Sequence, residues 1–287
     1  MRLDEIRGNH KSELASDEAL QIARERFLTY FKRYDTPAVY RGMFRSSPDS
    51  HVMLADPTLQ GRASANTSNE YTILMSELPT WKAFPKRSHS FICTTSFETA
   101  RTYGSTRAGV YAVILPDSFK MGVCDGSDVW YSFPYIEKEL GLYSDEVGEV
   151  VNEMIGRIVG FDASGETTIY DLQEGFQKFQ EFLQEGNNLE SIRGYQKNPL
   201  AKYLAQRINK NAPDGAAFAI LSRLFNPTLN NFEIVSNIHN LGSIQEDTEV
   251  WTDSQCLFVK DAYYSEFRKS VLTDASLVQP SDSSEQQ

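Results

Sequence analysis

Three short strings in this chain carry side chains from which a reactive site could be built. Tyr40-Arg41-Gly42 sets a guanidinium among apolar neighbours. Thr94-Thr95-Ser96 ends an apolar run with three adjacent hydroxyls. Asp247-Thr248-Glu249 places a carboxylate at the start of another apolar run. A guanidinium flanked by apolar residues is costly to bury unless it is paired or holds an anion. Arg41 therefore belongs either to a strand-end salt bridge or to an anion site. Hydroxyls at a strand end put small hydrogen-bonding groups at the mouth of a sheet. With a basic residue upstream and an acid downstream, residues 91–104 read as the floor of a nucleotide-binding cleft.

These groups need elements to hold them. Residues 91–95 are aromatic and β-branched, as strands prefer. Ser96 then caps a short helix that Gly104 can end. Residues 38–44 read as another strand, and 109–115 as a buried one that Pro116 stops. Ahead of them, Ser16 with Asp17 and Glu18 starts a helix. Leu20, Ala23, Phe27, Phe31 and Tyr34 share one of its faces, and Pro37 ends it. Residues 46–69 are rich in Ser, Pro, Asp, Asn and Gly and read as one long loop. Residues 70–78 fit a helix or a strand. Residues 79–90 read as a second loop, with Lys82, Lys86 and Arg87 on a solvated surface and His89 as a surface histidine. Residues 121–133 read as a turn-rich connection.

A helical block follows over about 134–226. Its apolar faces include Phe176, Phe179, Phe182 and Leu183, then Leu200, Tyr203, Leu204 and Ile208. Strands return over 232–235, 249–251 and 255–259, and a last helix over 262–271. Residues 1–15 are expected to be loosely held and 276–287 to be a disordered tail. The expected fold class is α+β: one domain over 1–275, with the helical block inserted into a mainly β core.

Composition removes several classes. The chain has 287 residues, 40% hydrophobic and 23% charged, with a formal net charge of −11. That charge argues against a general nucleic-acid binder, which needs Lys and Arg to neutralise phosphates. No apolar run reaches the roughly 18 residues a membrane span requires, and the charged N-terminus lacks an apolar export signal. Cys93, Cys124 and Cys256 are odd in number and far apart, as reduced cytosolic thiols would be. His10, His51, His89 and His239 are isolated, so no metal site is signalled. Neither a Rossmann glycine pattern nor a phosphate loop is present.

In their order and strand contexts, the three strings resemble the mono-ADP-ribosyltransferases of the Arg–Ser–Glu class. Those enzymes carry an Arg on a first strand, a Ser-Thr-Ser on a second and a catalytic Glu opening a later one. The resemblance implies a split β-sheet core with an N-terminal helix. It also implies NAD as co-substrate without a metal, and transfer of ADP-ribose to a protein acceptor with release of nicotinamide. It assigns Arg41 to the NAD diphosphate and Thr94, Thr95 and Ser96 to the cofactor-binding strand end. Tyr103 is the ring that stacks on nicotinamide. Glu249 is the catalytic carboxylate at the ribose, accompanied by Asp247. Thr94 stands where the family has Ser. Asp247 stands where arginine-modifying members have Glu and asparagine-modifying members Gln, so the acceptor residue stays open. Bacteriophages and bacterial toxins use this fold, which implies a host protein as acceptor in a bacterial cytoplasm. The alternatives are a non-catalytic phage structural or accessory protein, or a nucleic-acid-modifying transferase of the same fold. The sequence leaves the oligomeric state open.

Overall fold

Short apolar runs pair here into one antiparallel sheet. The structure is a computed structural model that describes residues 11–13, 16–43, 51–59, 69–104, 109–158, 174–178, 181, 197–207 and 216–275. The strands are β1 (Lys11–Glu13), β2 (Tyr40–Gly42), β3 (Val52–Ala55), β4 (Phe91–Thr94), β5 (Val110–Ile114), β6 (Met121–Val123), β7 (Glu233–Val235), β8 (Glu249–Thr252) and β9 (Cys256–Lys260). Their order across the sheet is β1-β3-β9-β5-β2-β4-β8-β6-β7. The strands carrying the three strings, β2, β4 and β8, are therefore neighbours. β4 and β8 share four residue pairs, whereas β2 meets β4 only at Tyr40 opposite Thr94. That single pair is a seam between two halves of the sheet.

The helices are α1 (Ser16–Arg26), α2 (Leu28–Arg33), α3 (Glu70–Glu77), α4 (Phe97–Gly104), α5 (Pro134–Leu140), α6 (Ser144–Ile158), α7 (Pro199–Arg207), α8 (Ala216–Leu224) and α9 (Asp261–Ala275). Strand alternation sends successive side chains to opposite faces. On one face Phe91, Cys93, Val250 and Phe258 join α1, α2 and α9, where Phe31 stacks on Tyr264 at 6.0 Å. On the other face Ile92 and Trp251 join an aromatic core with Tyr71, Phe133, Phe225 and Phe232. The helical block packs into that second core, so it shares hydrophobic burial with the sheet. Phe176 packs there too; Phe179, Phe182, Leu183 and Ile208 lie outside the described residues, as does the expected disordered tail.

Four expectations change. The first helix is broken at Phe27, which leaves helical dihedrals and buries its ring completely. The long loop contains β3, the connection over 121–133 contains β6, and the N-terminal stretch contains β1. Strands of three or four residues are too short for alternation to declare them; pairing with a neighbour creates them. The ambiguous stretch 70–78 is α3, whose residues from Glu70 to Met75 are all buried. A helix buried all round has no polar face to mark its period. The described residues thus form an α+β structure, and among them no helix is long and apolar enough to cross a membrane.

Candidate functional site

The hydroxyl run folds the β4–α4 junction. Thr94 Oγ1 accepts from the Ser96 backbone N–H at 3.1 Å. Ser96 Oγ accepts from Thr99 N–H at 3.2 Å and so caps α4. Thr95 Oγ1 accepts from Thr248 N–H at 2.9 Å and donates to the Gln245 carbonyl at 2.8 Å. The Thr95 N–H also donates to the Thr248 carbonyl at 3.0 Å. Asp247 turns the chain into β8 with a left-handed φ of 60°, a region that Asp tolerates better than most residues. Its carboxylate accepts from the Thr99 hydroxyl at 2.5 Å. Residues 94–96 and the turn before β8 are thus fastened together.

That fastening sets Glu249 in place. Tyr40, Thr94 and Glu249 stand opposite one another across β2, β4 and β8. The Glu249 backbone is held on its other side by Gly126 and Cys124, at 2.9 and 3.0 Å. Its carboxylate is buried and meets the Arg87 guanidinium at 2.6 Å, with side-chain exposures of 9% and 6%. The Cys124 thiol donates to the same carboxylate oxygen at 3.8 Å. Burial, the largest influence, lowers the Arg87 guanidinium, but the charge and hydrogen bonding of Glu249, with Cys124 and Asp128, together hold the group above its ordinary value. Burial, then the Glu249 charge, pushes the Cys124 thiol well up, which keeps it a neutral S–H. The Arg87 guanidinium also lies 5.7 Å from the Trp251 ring.

Tyr103, on the last turn of α4, is 41% exposed. Burial, then the charges of Asp128, Glu249 and Asp247, raises its phenol. The ring therefore lies within the field of these acids and is reached by solvent. Phe97 lies on the same helix but packs edge-on against Tyr40 at 5.7 Å.

Arg41 goes elsewhere. Alternation along β2 puts it on the face opposite Tyr40, Thr94 and Glu249. Its guanidinium donates to the Ile92 carbonyl and lies 5.9 Å from the Phe91 ring. The Tyr40 face is closed instead by Gly42, where an added Cβ would fall 2.0 Å from the Ala100 carbonyl of α4. The structure therefore does not bring the Arg41 guanidinium together with Glu249, as its expected role at the diphosphate would have it. A cation on that face is Arg87, expected from the sequence on a solvated surface; only Lys82 and Lys86 of that cluster are exposed. His89 is half-buried rather than on the surface, because the turn that delivers Arg87 folds it inward. One signal could have pointed to Arg87. Glu249 opens a strand of apolar residues, so its buried carboxylate requires a counter-ion.

Cys93, Cys124 and Cys256 are buried free thiols. Among the described residues no group of three or more His, Cys, Asp or Glu side chains is placed to hold a metal. No protein-family model matches the chain, and neither a curated protein nor a solved structure does.

Proposed function

We propose that the protein is an NAD-dependent mono-ADP-ribosyltransferase with Glu249 as its catalytic carboxylate. The reading is carried by one observation: strings far apart in sequence meet on adjacent strands, with Tyr40, Thr94 and Glu249 in one cross-strand row. NAD supplies the ribosyl–nicotinamide bond, which breaks with its electron pair leaving on neutral nicotinamide. Glu249 stabilises the positive charge that develops on the ribose as that bond lengthens, as carboxylates do in glycoside cleavage. An acceptor side chain then bonds to the same ribose carbon and loses its proton. Tyr103 offers an exposed ring for nicotinamide, within the electrostatic reach of that carboxylate. Thr95 and Asp247 hold the turn that aims Glu249. Thr94 and Ser96 shape the strand end through backbone bonds, and Arg41 locks β2 to β4 and is not assigned to the diphosphate.

A protein acceptor suits the net charge of −11 better than a nucleic acid does. The test is transfer of label from NAD to protein in a bacterial lysate. Wild type should label one or more lysate proteins and Glu249→Gln none. Equal labelling by both, or none by either, rejects the assignment.

A further inference from the structure

Glu249, Trp251 and Asp253 alternate along β8 and its extension, so they project from one face. Together they meet three consecutive residues ahead of β4. The Trp251 indole N–H donates to the Pro85 carbonyl at 2.9 Å. The Lys86 backbone lies near enough to the Asp253 carboxylate to oppose, weakly, the rise that burial gives that group. Glu249 holds the Arg87 guanidinium at 2.6 Å. The segment is braced from behind as well, since Ser90 Oγ donates to the Lys86 carbonyl at 2.7 Å and Phe84 stacks on Trp251 at 6.0 Å. Arg87 is therefore delivered by a backbone segment that the Glu249 strand itself fixes. A loose surface arginine meeting a carboxylate by chance would show no such bracing.

We propose that Arg87 is a positioning residue of the transferase site, fixing the orientation of the Glu249 carboxylate and keeping it charged for the ribose. The inference rests on the ADP-ribosyltransferase reading. Arg87 from the turn before β4 and Cys124 from the end of β6 touch Glu249, Tyr103 from α4 feels its charge, and Asp128 from the loop after β6 and Asp247 from the turn before β8 act on these neighbours. Asp128 and Asp247 are acids like Glu249, and the raised Cys124 thiol and Tyr103 phenol are neutral at working pH. Arg87 puts a cation directly on the Glu249 carboxylate, so the acid limb of the rate profile should depend on it.

The experiment measures NAD hydrolysis against pH, with NAD affinity by calorimetry, for wild type, Arg87→Gln, Arg87→Lys and Glu249→Gln. Arg87→Gln should lower kcat about tenfold or more and change KM less than about threefold. Its acid limb should move up by about one pH unit, because an adjacent guanidinium favours the ionised carboxylate by one unit or more. Arg87→Lys keeps the charge without the planar fork, so it should retain the wild-type limb and recover part of kcat. If Arg87→Gln does not fold, Arg87→Lys decides by both readouts: a lowered kcat with the wild-type limb supports the inference, and a wild-type kcat overturns it. An unmoved limb in Arg87→Gln, or a moved one in Arg87→Lys, overturns the inference while leaving the enzyme reading intact. A wild type that neither binds nor cleaves NAD overturns both.

Discussion

Arg41 and Arg87 are both buried beside β4, on opposite faces of the same sheet. What differs is the partner that the fold offers each. Arg41 meets a neutral backbone carbonyl at the seam between β2 and β4. Arg87 meets the Glu249 carboxylate. The bond from Arg41 to the Ile92 carbonyl fastens two strands. A buried guanidinium on a carboxylate makes two charges that each require the other, because a lone buried ion costs several kcal/mol. The first arrangement is structural; the second can also set the ionisation of a reactive group.

The largest effect should come from stranding one member of the pair. Glu249→Ala leaves Arg87 buried without its counter-ion and should destabilise the fold by about 3–5 kcal/mol in urea denaturation. It should also abolish NAD cleavage. A change below about 1 kcal/mol would mean that Arg87 finds another partner and that the pair is not a unit.

Arg41→Met should be milder in stability, by about 1.5–3 kcal/mol, the range for hydrogen bonds from charged groups. Turnover per folded molecule should stay within about threefold of wild type. A turnover loss comparable to that of Glu249→Gln would show that Arg41 reaches the site, and the contrast between the two arginines would fail.

Thr95→Val removes the clasp on residues 245–248 and should cost about 1–2 kcal/mol. Amide exchange at Thr248 should quicken, since that N–H donates to the lost hydroxyl. Unchanged exchange would detach the hydroxyl run from the placement of Glu249.

The smallest effect is on acid stability. Burial, then Lys86, lowers the His89 imidazole from its ordinary 6.5. The unfolded chain therefore binds the proton more readily than the folded one. This contribution is complete above pH 6.5 and is lost as the pH falls through the unfolded and then the folded value. Wild type should lose stability over that window and His89→Gln should lose less. Identical acid profiles would argue against the inward turn that carries Arg87.

Much of the framework is legible in the residues. The apolar runs of β4, β5, β8 and β9 mark themselves, as do the Ser96 cap and the acidic start of α1. The short strands β1, β3 and β6 are not, because their identity comes from pairing partners rather than from local pattern. The site is legible in part. Residues 94–96 stand out as a hydroxyl cluster, but type alone does not say whether a hydroxyl faces a ligand or its own backbone. Thr95 finds its partners about 150 positions away. Arg87 sits among Lys86, Ser88 and His89, a string whose composition matches a surface loop. Only the buried carboxylate on a distant strand makes it an interior residue.

The central claim is that the Glu249 face of this sheet cleaves NAD. Its most direct test is nicotinamide release from NAD by the purified protein, with Glu249→Gln as the comparison. Wild type should release nicotinamide, and the variant should be slower by about 100-fold or more, the scale of losing one transition-state charge contact. Equal rates in the two proteins, or no release by wild type while it remains folded, would contradict the account.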